Sequence, residues 1–193
     1  MKYFLISILS LFLGCKKLND RKEPATDFVV EKPLVIIDKH PVLPKGALKA
    51  DFFGTQDSIY AYVKHIDTVN ETTRVQFEQK KLPEIIIPES IGAELQVIKL
   101  KNFKKDVLLV NAKLKDTNFN EYYLFVWNDS IWTQPVNRFA IHKSNMMDTL
   151  VPIINNQKDS TQLLRYYSVF NMDRKSEKKY SWKLMQESVP IEE

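Results

Sequence analysis

The sequence predicts an all-β protein, a single antiparallel β-sandwich or meander of short strands, preceded by a cleaved signal segment and a flexible tether. Three observations point to it. From Leu48 onward, short stretches rich in Val, Ile, Tyr, Phe and Trp alternate with polar turns, the pattern of strands joined by tight connections. Apolar residues nowhere keep a sustained 3.6-residue period, so amphipathic helices are not expected. The turns carry Asn and Asp, in a chain with only 4 glycines. Both residues tolerate left-handed backbone and bond their own chain, so they serve where glycine otherwise would.

Composition sets the outer limits. The 193 residues are 44% hydrophobic and 27% charged, enough for one domain with its own core and outside the disordered range. A net charge of +4 is too small to indicate nucleic acid as the partner. One cysteine and 3 histidines exclude a disulfide scaffold and a cysteine-rich zinc site.

The expected strands follow in order: Leu48–Phe53, Ile59–Ile66, Thr73–Phe77, Glu84–Ile87, Leu95–Leu100, Val107–Leu114, Glu121–Trp127, Ser130–Thr133, Phe139–His142, Leu150–Ile154, Leu163–Phe170 and Lys179–Met185. Leu34–Ile37 precedes them as an edge strand or extended arm, because prolines at 33, 41 and 44 surround it. Ile85–Ile87, between Pro83 and Pro88, is a short strand. A helical turn is expected near Glu89–Ala93.

The clearest hairpin is Glu121–Pro135. A two-residue Asn128-Asp129 turn pairs Trp127 with Ser130 and Phe125 with Trp132. Strand alternation then places Tyr123, Phe125, Trp127 and Trp132 on one face and Leu124, Val126 and Ile131 on the other. The hairpin is therefore either enclosed on both sides or presents an aromatic platform. As a platform, those four rings are the candidate contact for a glycan or an envelope protein partner. An echo lies 44 residues on, where Tyr166-Tyr167 and Ser181-Trp182 repeat Tyr122-Tyr123 and Ile131-Trp132. It raises a small propeller-like repeat of hairpins as the alternative fold. With too few residues for the usual four blades, two similar hairpins in one domain are preferred.

The N-terminus carries its own signal. Lys2 is followed by the 11-residue apolar stretch Tyr3–Leu13, then Gly14 and Cys15, the sole cysteine. The stretch has the length of a signal-peptide core and is too short to span a bilayer, which takes about 20 residues. This arrangement resembles the lipobox of bacterial lipoproteins, with Phe12 and Leu13 standing where Leu and a small residue are usual. The resemblance implies cleavage before Cys15 and lipidation of its thiol, with membrane lipid as the partner. Residues 1–14 are then the signal peptide, 15–33 the lipidated cysteine and tether, and 34–193 one β-rich domain. The location implied is the bacterial cell envelope. Lys16 after the cysteine favours the outer membrane by the family's sorting logic.

Chemistry-bearing motifs are sparse. His65 and Asp67 alternate on one strand and, with His40 or His142, have the residue types of a metal site. Their spacing is common, and no metal or cofactor is assigned. Asp51–Asp57 is weakly similar to the loop of integrin-type repeats, but only Asp51 and Asp57 match, so calcium is not carried over. Asp-Ser/Thr-aliphatic triplets (or Thr in the third place) occur at five of the twelve aspartates. They resemble the acceptor of a bacterial O-glycosylation system, which makes Ser58, Thr68, Ser130, Thr149 and Ser160 candidate acceptors. The same triplets also arise simply as turns leading into strands. Two basic segments, Lys99–Asp116 and Arg174–Lys183, suit anionic headgroups, acidic glycans or plain solvent exposure. The function expected is a membrane-anchored, non-catalytic binding or envelope-structural module. The alternative is an envelope-associated glycan hydrolase, whose paired carboxylates leave no sequence motif.

Overall fold

The computed structural model describes residues 42–192. The signal segment, Cys15, the tether and the strand expected at Leu34–Ile37 lie outside the described residues. Within them the protein is all-β, built from three antiparallel meanders in succession. The first sheet has the order β1-β2-β3-β4, from strands Leu48–Ala50, Ile59–Asp67, Thr72–Phe77 and Ile85–Ile87. The second contains β5 (Ala93–Ile98), β6 (Val107–Lys113), β7 (Phe119–Asn128), β8 (Ile131–Thr133) and β9 (Phe139–His142). The third has the order β10-β11-β12, from Ile153–Asn155, Gln162–Met172 and Tyr180–Pro190. Every strand expected from Leu48 onward is present, and the sandwich or meander expectation holds, with three sheets stacked.

The middle sheet is organised by β7. It pairs with β6 along one edge; along the other, β9 covers Phe119–Tyr122 and β8 covers Val126–Asn128. Alternation makes both faces apolar. Leu108, Val110, Ala112, Tyr123, Phe125 and Trp127 point to the first sheet, where they meet Ile59, Ala61, Val75, Phe77, Ile85 and Ile87. Val107, Leu109, Tyr122, Leu124 and Val126 point the other way, with Phe139 and Ile141, against Ile153, Leu163 and Val189 of the third sheet. Each fully buried Leu, Ile or Phe stabilises by about 1.5–3 kcal/mol relative to exposure, and the doubly covered sheet is the one that contributes to both apolar cores.

Two local expectations are corrected. In the β7–β8 hairpin Trp127 faces Trp132, and Asn128 pairs with Ile131. The turn centres on Asp129-Ser130, because Asp129 takes the left-handed conformation (φ 53°) and Asn128 remains in the strand. The shift leaves each ring on its expected face. Near Glu89–Ala93 there is no helical turn. Pro88 and Glu89 form a turn in which Glu89 has φ 53°, and Ser90 donates its N–H to the Glu71 carbonyl (2.9 Å). The chain then enters β5 directly.

A β-bulge between Val63 and His65 sets the facing of β2. Strict alternation from Ala61 would bring His65 inward. The extra residue instead pairs His65 with Arg74 and turns Ile66 opposite the buried Thr73, so the imidazole stays exposed. Asp51 shapes the loop before β2. Its carboxylate accepts N–H bonds from Gly54 (2.7 Å), Thr55 (3.2 Å) and Gln56 (2.8 Å). Burial works against the charge, but these backbone donors hold the carboxyl below its ordinary pKa.

Candidate functional site

Of the two arrangements open to the β7–β8 hairpin, enclosure holds, which corrects Tyr123, Phe125, Trp127 and Trp132 as candidate contacts. Tyr123, Phe125 and Trp127 are buried, and Trp132 is partly buried against them. Trp132 stacks on Phe77 (4.8 Å between ring centres), meets Phe52 and Trp127 edge-on at 5.4 Å, and donates its indole N–H to the Pro83 carbonyl (3.0 Å). The physical reason is coverage: the first sheet lies over that face. Tyr123 also anchors a polar tie. Its hydroxyl donates to Glu121 (2.8 Å) and accepts from Arg138 (3.1 Å), while Arg138 reaches Glu89 (3.0 Å). Burial, the leading cause, pushes the Tyr123 phenol up to about 12.

The open aromatic surface lies elsewhere, where β9 and the 3-10 turn Lys143–Asn145 meet the far end of the β11–β12 hairpin. Eleven residue pairs register that hairpin, including Phe170 with Trp182 and Met172 with Tyr180. Bonds from β9 and from the 3-10 turn dock it, among them Asn145 Nδ2 to the Ser168 hydroxyl (2.9 Å). His142 N–H donates to the Ser168 hydroxyl (2.9 Å), and Asn145 Nδ2 donates to the Trp182 carbonyl (3.0 Å). The result is a pocket of about 600 Å³.

Five rings form its walls. His142 stacks on Trp182 (5.2 Å, 17°), and Phe119 meets both edge-on (5.1 and 4.9 Å). Phe170 is edge-on to Trp182 (5.7 Å) and stacked with Tyr180 (5.2 Å). Phe170 and Tyr180 are exposed, at 54% and 38%, so these two rings are open to a ligand. Polar residues stand among them: Asn118, Ser144, Ser181 and Asp116, with Lys143 and Lys178. The Asp116 carboxylate accepts from the Asn118 N–H (3.0 Å) and Nδ2 (2.6 Å).

The setting of His142 disfavours its protonation. Desolvation first, then the charges of Lys143 and Lys178, lower its pKa, with Asp116 opposing them. Nδ1 accepts the Ser144 N–H (3.2 Å) and lies 2.8 Å from the Ser144 hydroxyl. In its neutral form the ring therefore carries its proton on Nε2, one donor among the pocket's polar groups.

Among the described residues no three His, Cys, Asp or Glu side chains gather as metal ligands. His65 and Asp67 share the outer face of the first sheet, His142 belongs to β9 of the middle sheet, and His40 lies outside the described residues. The five candidate acceptors Ser58, Thr68, Ser130, Thr149 and Ser160 are all exposed, and all lie in loops or turns. In two of these turns the aspartate does the folding. Asp67 accepts from the N–H of Val69 (3.0 Å) and Asn70 (2.9 Å), and Asp159 from the N–H of Thr161 (2.9 Å).

His142, Trp182 and the basic segment Arg174–Lys183 stand out separately in the sequence; their convergence does not, nor do Phe119, Phe170 and Tyr180. The available signal was the alternation Ser168, Phe170, Met172 leading into a lysine-rich turn. No protein-family model, curated protein or solved structure matches the chain.

Proposed function

We propose that this chain is a bacterial lipoprotein, tethered through Cys15 on the outer membrane, whose β domain is a non-catalytic binding module. Its binding site is the pocket of Phe119, His142, Phe170, Tyr180 and Trp182. One observation carries the reading: an open pocket walled by rings and dotted with hydroxyl, amide and imidazole groups. Flat rings stack on the apolar faces of sugars while the polar groups meet their hydroxyls. A hydrolase would use two carboxylates facing each other, about 5–9.5 Å apart. The described lining of this pocket holds one, Asp116, already engaged by Asn118.

The anchor rests on the sequence, on Lys2, the apolar stretch Tyr3–Leu13 and Gly14-Cys15. Cells fed labelled palmitate are expected to label the wild-type chain but not Cys15→Ala, and globomycin is expected to leave the unprocessed form. A wild-type chain that takes up no label refutes the anchor. The export reading also supports sugar attachment at Ser58, Thr68, Ser130, Thr149 and Ser160, whose exposed positions leave their hydroxyls accessible. Intact-mass measurement of the protein from its native host checks this, with added hexose masses expected and an unmodified polypeptide mass counting against it.

A further inference from the structure

We propose that the pocket recognises an acidic saccharide, a sugar ring bearing a carboxylate; this rests on the binding-module reading and narrows its ligand class. Charge is the first observation. Lys143 and Lys178 both line the pocket beside its aromatic walls, and both add to the desolvation that disfavours protonation of His142, Lys178 by less than Asp116 opposes it. Among the described residues neither lies within ion-pair distance of a carboxylate. The lone carboxylate in the lining, Asp116, is bound by Asn118 rather than by a lysine. The turn joining β11 to β12 adds Arg174, Lys175 and Lys179 against Asp173 and Glu177, which extends the positive field beyond the pocket mouth.

The second observation is the combination of rings and neutral donors. An anionic lipid headgroup needs only the lysines. Here the exposed faces of Phe170 and Tyr180 adjoin Asn118, Ser144, Ser181 and the Nε2–H of a neutral His142. That set suits a hydroxylated ring that must be both stacked upon and hydrogen-bonded. A volume of about 600 Å³ lies in the range of pockets that hold small organic ligands. The carboxylate pairs with Lys143 and Lys178, and the ring lies on Phe170 and Tyr180.

The test uses the full chain in a non-ionic detergent, with calorimetry against oligogalacturonate, hyaluronan hexasaccharide and oligosialic acid. Each is run beside its carboxyl-reduced counterpart, and vesicles containing phosphatidylglycerol form a separate arm. At least one acidic probe is expected to bind tenfold or more tightly than its reduced form. Lys143→Gln/Lys178→Gln should abolish that preference, so that acidic and reduced forms bind alike. Phe170→Ala should weaken both forms. The control Arg174→Gln/Lys175→Gln removes the same charge outside the pocket and should change the preference less than twofold. Equal binding of acidic and reduced probes overturns the proposal but leaves the binding-module reading standing. No saccharide binding at millimolar concentration overturns both. A preference lost equally in the control pair, or binding to the vesicles alone, overturns the acidic-saccharide assignment in favour of a diffuse electrostatic surface.

Discussion

The two hairpins β7–β8 and β11–β12 use the same kinds of residue and put them to opposite use. In the first, Tyr123, Phe125 and Trp127 alternate along one strand and vanish beneath a neighbouring sheet. In the second, Phe170, Tyr180 and Trp182 also line up across a register, but β12 is the edge of its sheet and the hairpin's far end runs beyond its neighbours. There the rings stack on one another and on His142 instead of filling a core. The difference lies in sheet order, not in side-chain chemistry. A strand in the middle of three layers has two faces to bury, whereas one on the outside keeps part of its surface exposed.

The largest expected effect tests that contrast directly. Phe125→Ala removes a buried ring between two sheets and should cost about 3–5 kcal/mol. Phe170→Ala removes a ring that is 54% exposed and should cost no more than about 1 kcal/mol. Urea denaturation of the two variants measures both numbers. Comparable losses would mean that the β11–β12 tip is core and not a site.

How far this contrast was legible in the sequence follows from the same physics. Period-two alternation and Asn/Asp turns located all the strands from Leu48 onward, because both are local properties of the chain. The correct facing of Tyr123, Phe125, Trp127 and Trp132 also followed from alternation. It survived the misplaced turn because moving the turn by one residue shifts the pairing by two. What covers each face is a long-range matter. Val107–Val110 (VLLV) and Tyr122–Trp127 (YYLFVW) are apolar at every position, which fits enclosure between two sheets as well as an exposed platform. The pocket was harder still. Its walls come from β7, β9 and the β11–β12 hairpin, and no local pattern records that Asn145 and Ser168 clamp those elements together.

A smaller effect sharpens the comparison through pH. His142 has its pKa lowered below the usual 6.5, by desolvation first and then by Lys143 and Lys178. The unfolded chain therefore binds a proton on this residue more readily than the folded one. Stability should be full above about pH 6.5 and fall as the pH drops from there to the folded-state pKa, below which the loss is constant. NMR titration of the His142 ring should give a midpoint below 6.5. His142→Gln should remove this part of the pH dependence of the urea midpoint, with the middle-sheet core unaffected. A ring that titrates at or above 6.5 would mean that the lysines do not act on it and that the pocket is more solvated than its walls imply.

The smallest effect is spectroscopic. The chain has 3 tryptophans: Trp127 and Trp132 lie in the first core, and Trp182 lines the pocket. Iodide, an anion attracted by Lys143 and Lys178, should quench Trp182 and leave the other two nearly untouched. Trp182→Phe keeps a ring against His142 and Phe119, so its stability should change by less than about 1 kcal/mol, while the iodide-sensitive fraction of the emission disappears. Trp132→Phe should do the reverse, retaining the quenchable fraction and losing stability, because its indole N–H to the Pro83 carbonyl goes with it. If iodide instead quenches the emission that Trp132→Phe removes, the first sheet does not close over the β7–β8 hairpin, and the distinction between the two hairpins collapses.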